Sequence, residues 1–250
     1  MCRHLAYVGP ACALGEVLTR PEFCLVRQSW APRRQGHGTV NADGFGVGWY
    51  AEGDPLPARY RRTGPVWADA SFADLCRVVR SAAFLAAVRD ATDGCAGGEA
   101  AVAPFTAGRW LFSHNGAVTG WPASVSEVAA RALSARELLE VEARTDSALA
   151  WALVRHRLRD GAAPARALSR VAVQLAGAAP GSRLNFLLTN GRTVAGTAAG
   201  ESLWYLHRPG ASLTVASEPH DADPGWRQVP ERHVLAGDAA HVELILLEEL

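Results

Sequence analysis

The alternation of hydrophobic and polar positions begins almost at the first residue. Residues 3–8 alternate loosely, and this period of two predicts a strand. A second strand is predicted over 45–51, where glycines alternate with larger residues after a turn at 41–44. An apolar run predicts a third strand over 84–92, and RWLFSHNGAV predicts a fourth over 109–118. The first half of the chain is therefore predicted to be mainly β-structure.

A helical period of 3.6 dominates the middle of the chain. The strongest case is TDSALAWALVRHRLRDG, whose apolar residues recur at helical spacing and whose last residue is a glycine. A short helix is predicted within 20–35, and loops over 53–65 and 93–108. The longer helices are predicted over 71–81, 124–133, 134–143, 145–161 and 163–177.

Strands return after the helices. RLNFLLT and TVAGTAA flank the turn Asn190-Gly191, which is a strong hairpin signal. Further strands are predicted over 202–208, 212–219 and 242–250. Strands, then helices, then strands without a βαβ rhythm predict a layered α+β domain. No linker interrupts it, so residues 2–250 are expected to form one domain.

Composition narrows the function classes. The chain has 250 residues and a formal net charge of zero, which argues against nucleic acid or an anionic membrane as the main partner. Every basic residue other than histidine is an arginine. The absence of lysine excludes a lysine Schiff base and a P-loop lysine.

The cysteine and histidine patterns favour neither disulfides nor metals. The five cysteines are widely spaced without a CxxC, which is typical of a protein of the reducing cytoplasm. The N-terminus does not fit a signal peptide, and no apolar run reaches membrane-spanning length. The eight histidines form no HExxH, and GFGVG is not a GxGxxG. We therefore expect no metal or other cofactor.

Cys2 carries two useful groups if Met1 is removed. A free thiol is only about 3% ionised at pH 7. An α-amine with a pKa of roughly 7.7–8.0 can take the thiol proton and later return it to a leaving group. One residue would then supply nucleophile, general base and general acid. Chance placement of a cysteine after the initiator methionine is the alternative.

Ser113-His114-Asn115-Gly116 lies near a predicted strand end. The Asn115 amide and a neighbouring backbone N–H could form an oxyanion hole, and Gly116 would let the backbone come close. Such a donor is typically worth about 2.7–4 kcal/mol in the transition state. The alternative is a type I′ hairpin turn, and spacing alone does not separate the two.

Two charged residues are candidates for holding a zwitterionic substrate. Arg89 follows an apolar run, and arginine is a natural bidentate partner for a carboxylate. Asp146 lies at the front of a predicted helix, where it could hold an ammonium group. The alternatives are a surface arginine and an ordinary helix cap.

The ordered motifs together are more specific than any one of them. MCRHL, NADGFGVGWY, VRDAT, APF, SHNG, RTDS and ASEP occur in the order typical of one family. The chain resembles the class II glutamine amidotransferase-like branch of the N-terminal nucleophile hydrolases over nearly its whole length. Within that branch it is most similar to the γ-glutamyl hydrolases of ergothioneine biosynthesis, which remove glutamate from γ-glutamyl-hercynylcysteine sulfoxide.

The resemblance implies a fold and a set of roles. The fold would be a four-layer αββα sandwich, with two antiparallel sheets between helix layers. Cys2 would be the nucleophile, and Asn115 and Gly116 the oxyanion-hole pair. Arg89 would hold the glutamyl carboxylate and Asp146 its amine. Further residues that could line the site are Thr92, Ser217 and Glu218.

One position departs from the resemblance. Many relatives have a histidine where this chain has Ala103, which we interpret as a subgroup difference. A small γ-glutamyl substrate is expected, with no obligatory protein partner. The alternatives are a glutaminase that supplies ammonia to a separate synthetase, and an inactive scaffold that retains the fold.

Overall fold

Two antiparallel β-sheets stack face to face in the computed structural model, which describes residues 2–38, 40–92 and 94–250. The first sheet has the strand order β11-β9-β10-β1-β4-β2-β3. Its central strand, β1, pairs antiparallel with β10 on one side and with β4 on the other. The strands of this sheet are β1 (Arg3–Ala13), β2 (Gly44–Tyr50), β3 (Pro57–Arg62), β4 (Arg80–Arg89), β9 (Trp204–Arg208), β10 (Ser212–Ala216) and β11 (Arg227–Gln228).

The second sheet has the order β13-β12-β8-β7-β6-β5. The predicted hairpin around Asn190-Gly191 is confirmed, because β7 and β8 pair antiparallel on either side of it. The strands of this sheet are β5 (Phe105–Ala107), β6 (Trp110–Ala117), β7 (Arg183–Thr189), β8 (Val194–Ala198), β12 (His233–Gly237) and β13 (Val242–Leu246).

Helices cover the outer face of each sheet. One apolar cluster joins the first sheet to the short N-terminal helices, through residues such as Leu18, Leu25 and Phe72. A second cluster joins the other sheet to the long helices, through residues such as Leu153 and Leu168. The predicted four-layer αββα sandwich is thereby confirmed. The helices are α1 (Gly15–Leu18), α2 (Leu25–Gln28), α3 (Ala70–Val78), α4 (Ser126–Ala132), α5 (Ala135–Leu139), α6 (Asp146–Arg159) and α7 (Pro164–Ala178).

The layer between the two sheets changes character along its length. Alternate residues of β1 point outward, while Ala6 and Val8 join a third apolar cluster between the sheets with Leu187. At the other end of this layer, next to Cys2, the buried side chains are polar. They are His4, Ser113, Asn115, Asn185 and Ser217. We refer to this as the Cys2 end of the sandwich.

Two predicted loops contain strands. The prediction of a loop over 53–65 is wrong, because strand β3 lies within this range at the edge of the first sheet. An edge strand tolerates polar and Pro-rich sequences. Arg59 and Arg61 on β3 donate to the carbonyls of Pro104 and Val102. The prediction of a loop over 93–108 is wrong at its end, where strand β5 (Phe105–Ala107) forms.

Other elements differ mainly at their ends. The helix predicted to run to residue 81 ends at Val78, and β4 begins at Arg80. Strand β1 runs five residues beyond the predicted end at Val8, to Ala13. The sequence pattern predicts no element at α1, β11 or β12. Of the residues described, none belongs to a helix long and apolar enough to cross a bilayer.

Candidate active site

Cys2 lies immediately before the central strand of the first sheet. Because Arg3 pairs with Val88, the antiparallel register places Cys2 beside Arg89 at the end of β4. The half-buried Cys2 donates its thiol hydrogen to the carbonyl oxygen of Asp90, at 3.9 Å. The fold therefore brings the candidate nucleophile and the candidate carboxylate-binding residue together.

The Cys2 thiol is neutral in this environment. Burial raises its pKa and outweighs the positive charge of Arg89, which acts in the opposite direction. The nearby His4 ring is also neutral, because burial holds its pKa well below 6.5. Attack by Cys2 thus requires a base that takes the thiol proton. Met1 lies outside the described residues, so its removal stays a prediction.

Asn115 and Gly116 lie within β6, opposite Asn185 and Leu184 of β7. Their interpretation as a hairpin turn is therefore wrong. In the orientation that satisfies both ends of its amide, Asn115 donates to the Cys2 carbonyl oxygen and accepts from Arg3 Nη2, at 3.3 Å. The candidate oxyanion-hole residue is thus in direct contact with the residue that carries the nucleophile.

Glycine is required at position 116 for a steric reason. Its φ is +154°, and a Cβ there would overlap the carbonyl oxygen of Arg183. The same carbonyl accepts a hydrogen bond from His114 Nε2 at 2.9 Å. Gly116 therefore lets β6 and β7 approach closely beside Cys2.

Arg89 and Asp146 are both buried, with 9% and 3% of their surfaces exposed. Arg89 Nη2 donates to the carbonyl of Ala96 at 3.0 Å. Asp146 Oδ2 accepts from the N–H of Val118 at 3.0 Å, and its Oδ1 accepts from the thiol of Cys95 at 3.7 Å. Residues 95 and 96 thus contact both charged groups, so the loop that contains them lies against the candidate substrate-binding pair.

Asp146 is not the cap of helix α6. Thr145 is the N-cap, and its hydroxyl accepts from the N–H of Ala148 at 3.0 Å. The interpretation of Asp146 as an ordinary cap is wrong, and its carboxylate is turned toward the loop side instead. Its position in the first turn still favours its negative charge, through the helix dipole.

His114 was missed as a site residue, although the SHNG motif contains it. Its Nδ1 lies 3.0 Å from the hydroxyl of Ser147, next to Asp146. Since the Arg183 carbonyl can only accept, His114 Nε2 carries the hydrogen of that bond, and the Ser147 hydroxyl lies between His114 Nδ1 and Asp146 Oδ1. His114 therefore links the strand of the oxyanion pair to the start of α6.

A small cavity of ≈ 20 Å³ adjoins Cys2. Such a volume holds about one water molecule, so a glutamyl group requires the cleft to widen. Ala103 lines it, and Gly46 lets this wall come close, because a Cβ on Gly46 would overlap the Ala103 carbonyl oxygen. The full lining is Cys2, Ala87, Val88, Arg89, Ala101, Val102, Ala103, Phe105, His114 and Ser147.

The remaining candidates lie close by, with hydrogen bonds to the protein itself. The hydroxyl of the buried Ser217 accepts from the N–H of His4 at 3.0 Å. The carboxylate of the buried Glu218 accepts from the backbone of Arg34 at 2.7 Å. Thr92 is half-buried, and its carbonyl accepts from the N–H of Cys95. Substrate contact by these three stays a prediction.

A charged cluster that the sequence pattern does not predict lies at the Cys2 end. Arg3 donates to the carbonyl of Cys2 at 2.9 Å and forms an ion pair with Glu201 at 3.5 Å. Arg183 forms a second ion pair with Glu201 at 3.2 Å. No spacing rule connects these positions, because only the strand register brings them together. Within the described ranges, no three histidine, cysteine or acidic side chains gather as metal ligands do.

Comparisons with known proteins agree with this arrangement. A family model, glutamine amidotransferases class-II, matches residues 15–233, a range that includes Arg89, Asn115, Gly116 and Asp146 but not Cys2. A γ-glutamyl-hercynylcysteine sulfoxide hydrolase of Mycolicibacterium smegmatis is 39% identical over 97% of this chain and 98% of its own length. One from Mycobacterium tuberculosis is 38% identical over 99% of this chain and 97% of its own.

Solved structures show the same architecture. A glutamine aminotransferase class-II domain protein from Silicibacter pomeroyi has a TM-score of 0.69 and 25% identity, with 98% of this chain and 99% of that chain covered. The glutamine phosphoribosylpyrophosphate amidotransferase of B. subtilis has a TM-score of 0.63 at 14% identity. That match covers 98% of this chain but 49% of the other, so the similarity is confined to part of the larger protein.

Proposed function

The chain belongs to the class II glutamine amidotransferase family, and on that premise we propose that it hydrolyses γ-glutamyl-hercynylcysteine sulfoxide and releases glutamate. The observation that carries this proposal is the 38–39% identity to curated hydrolases of that name over nearly the full length of both chains. The geometry agrees with it, because Cys2 lies between a buried arginine and a buried asparagine.

The reaction divides into two acyl transfers. Cys2 Sγ attacks the γ-carbonyl carbon while its proton passes to the Cys2 α-amine, which is free once Met1 is removed. The C–N bond breaks as the α-amine returns the proton to the leaving nitrogen, and a γ-glutamyl thioester remains. Water then attacks the thioester carbon and gives its proton to the α-amine. The C–S bond breaks, the thiol recovers its proton, and glutamate leaves.

The other residues supply binding and charge stabilisation. Asn115 and Gly116 stabilise the oxyanion that forms in each step. Arg89 binds the glutamyl α-carboxylate, and Asp146 binds the α-ammonium. These two contacts fix the distance from the α-carbon to Cys2, so they place the γ-carbonyl at the thiol. Thr92, Ser217 and Glu218 line or support the same cleft.

The setting follows from the same premise. The proposed partner is the small γ-glutamyl substrate, with neither nucleic acid nor an obligatory protein partner. Residues 2–250 act as one domain, in the cytoplasm. This agrees with the five free cysteines, none of which is paired in the described part of the chain.

A glutaminase is the second candidate, favoured by the match to part of a phosphoribosylpyrophosphate amidotransferase. In that case ammonia would pass to a separate synthetase. An inactive scaffold is the third candidate. The presence of the nucleophile, the oxyanion-hole amide and the two charged binding residues argues against it (Cys2, Asn115, Arg89 and Asp146).

Glutamate release is the direct test. Purified protein with Met1 removed, verified by intact mass, is given γ-glutamyl-hercynylcysteine sulfoxide and glutamine in parallel. We expect a much higher kcat/KM for the sulfoxide. Preference for glutamine would overturn the proposal in favour of an amidotransferase, and no release from either would indicate the scaffold.

A further inference from the structure

Two guanidinium groups share one buried carboxylate at the Cys2 end of the sandwich. Arg3 Nη2 lies 3.5 Å from Glu201 Oε2, and Arg183 Nε lies 3.2 Å from Glu201 Oε1. The Arg3 side chain is fully buried, whereas that of Arg183 is 24% exposed. We call Arg3, Arg183 and Glu201 the arginine–glutamate cluster. Its two cations and one anion leave one positive charge, which the buried Glu218 partly offsets through its attraction for Arg3. Through Arg183 the cluster is open to solvent.

The strand order places this cluster and Arg89 on opposite sides of Cys2. In the first sheet, β1 lies between β10 and β4, the strand that ends in Arg89. Across the layer between the sheets, β4 packs over β6, β1 packs over β6 and β7, and β10 packs over β8. Arg183 begins β7, and Glu201 follows β8. The cluster is therefore on the β10 side of the nucleophile.

A bound substrate extends along the line from Arg89 past Cys2 to the arginine–glutamate cluster. Under the proposed function, on which this inference rests, the glutamyl α-carboxylate lies at Arg89 and the γ-carbonyl lies at Cys2. The leaving group then extends away from Arg89, toward the cluster. When the leaving group is an amino acid joined through its α-amine, its own carboxylate is two bonds from the scissile nitrogen. Glutamine releases ammonia and has no such carboxylate.

The Arg183 side chain is oriented from two directions. Gly200 has φ +94°, and a Cβ there would lie 2.9 Å from Arg183 Cγ, so the glycine lets the stem pack closely. Glu201 attracts Nε, and His37 Nδ1 lies 3.4 Å from the same carboxylate oxygen. Because Nε faces the Glu201 carboxylate, the two Nη groups point away from it, the arrangement suited to a second carboxylate.

The cluster retains unused hydrogen-bonding capacity. Arg183 Nε and Glu201 Oε1 are close enough for an ion pair but do not form a hydrogen bond with each other. Within the described residues, both atoms are buried and have no hydrogen-bond partner. Arg3 Nη1 is a third such atom. Within the same part of the chain, neither Nη atom of Arg183 has a partner. Unpaired buried polar groups are rare and costly, which favours a site that a polar ligand completes.

We propose that Arg183 binds the α-carboxylate of the leaving amino acid and so selects γ-glutamyl amino acids over glutamine. Glu201 is a positioning residue that orients the Arg183 guanidinium. The contact with Arg183 exists before bond breaking, so its loss raises KM more than it lowers kcat.

The test uses two substrates that differ in one group. The first is γ-glutamyl-hercynylcysteine sulfoxide, and the second is the same compound with the cysteine carboxylate replaced by hydrogen. Kinetics are measured for the wild type, Arg183→Met, Arg183→Lys and the control Arg192→Met. Arg192 is exposed in the turn at the far end of the same β7–β8 hairpin, so it matches Arg183 in residue type and strand pair.

We expect Arg183→Met to lower kcat/KM for the carboxylated substrate by about 10- to 100-fold, mainly through KM. The decarboxylated substrate should change by less than about threefold, and Arg183→Lys should fall between. Arg192→Met should match the wild type on both substrates. A folding defect would reduce both rates together, so the ratio of the two isolates the carboxylate contact.

Two results would overturn the assignment. One is an equal loss on both substrates in Arg183→Met, and the other is a wild type that does not distinguish them. If the wild type releases no glutamate from the carboxylated sulfoxide, the proposed function itself has failed. If the wild type cleaves the carboxylated sulfoxide but not the decarboxylated compound, the KM for the carboxylated sulfoxide decides. An unchanged KM in Arg183→Met rejects the contact between Arg183 and the carboxylate, and an increased KM supports it.

Discussion

The Cys2 thiol donates to the main-chain oxygen of Asp90, 3.9 Å away at the end of the neighbouring strand β4. This contact holds the sulfur beside Arg89, while burial of the thiol raises its pKa and keeps the sulfur protonated. Reactivity therefore depends on a base that acts during the attack, rather than on a thiolate stored in the resting enzyme.

Replacing Cys2 with alanine should abolish glutamate release. We expect a loss on the order of 10³-fold or more, because no other nucleophile occupies the same position. The thermal unfolding temperature should change little, since the side chain is half-buried at the end of a strand. Cys12→Ala is the matched control, because Cys12 is half-buried on the same strand. Full activity in Cys2→Ala would remove the thiol from the mechanism.

Gly116→Ala should lose both activity and stability. The added methyl group overlaps the Arg183 carbonyl, and the positive φ is unfavourable for alanine. We expect roughly 2–4 kcal/mol of destabilisation, measured by urea unfolding. Gly177→Ala is the control, because a Cβ there meets nothing within 4 Å in helix α7. That variant should be stabilised by up to about 1 kcal/mol, and a neutral Gly116→Ala would contradict the steric argument.

Removing the charge of Asp146 should weaken substrate binding while leaving helix α6 intact. Asp146→Asn keeps an oxygen for the N–H of Val118 but loses the negative charge that a substrate ammonium needs. Arg89→Met should act in the same way on the carboxylate. Each should raise KM by about 10- to 100-fold with a smaller effect on kcat. Steady-state kinetics on the sulfoxide test this, and an unchanged KM would reject the corresponding assignment.

Burial of His4 should make folding stability fall at mildly acidic pH. Its pKa is well below 6.5 in the folded state because the ring is desolvated, so the unfolded chain binds the proton first. The stabilising effect is complete above about pH 6.5 and decreases as the pH falls toward the folded value, by up to about 1.4 kcal/mol per pH unit. Urea unfolding at pH 7 and 5.5 measures it.

Variants identify the histidine responsible. His4→Asn should lower the number of protons taken up on unfolding by up to about one, which reduces the slope of the unfolding free energy against pH. The control His241→Asn, at an exposed position, should leave that slope unchanged. If His4→Asn retains the wild-type slope between pH 7 and 5.5, another group causes the acid sensitivity.

The parts of the fold that local pattern determines were predicted well. Helices α6 and α7 and the β7–β8 hairpin have strong periodicity and clear end signals. Strand β3 was missed because PARYRR is polar, and an edge strand needs little hydrophobic burial. Its arginines bind loop carbonyls instead, and no pattern in a single sequence reveals that contact.

The site was predictable in its chemistry but not in its assembly. Cys2, Arg89, Asn115 and Asp146 could be selected by residue type and by resemblance to a family. Their proximity depends on strand register, which is a property of the folded sheets. Arg183 and Glu201 are ordinary surface residues by sequence, and only the packing of β7 and β8 over β1 and β10 brings the half-buried arginine to the buried carboxylate.

The change from apolar to polar packing between the sheets also has a dynamic consequence. Strand β1 passes from the polar Cys2 end into a dry interior around Val8 and Leu187. Amide hydrogens near His4 should therefore exchange by local opening, while those near Val8 should exchange only when the whole domain unfolds. A single strand would then hold both a segment loose enough to admit a substrate and the slowest-exchanging core of the protein.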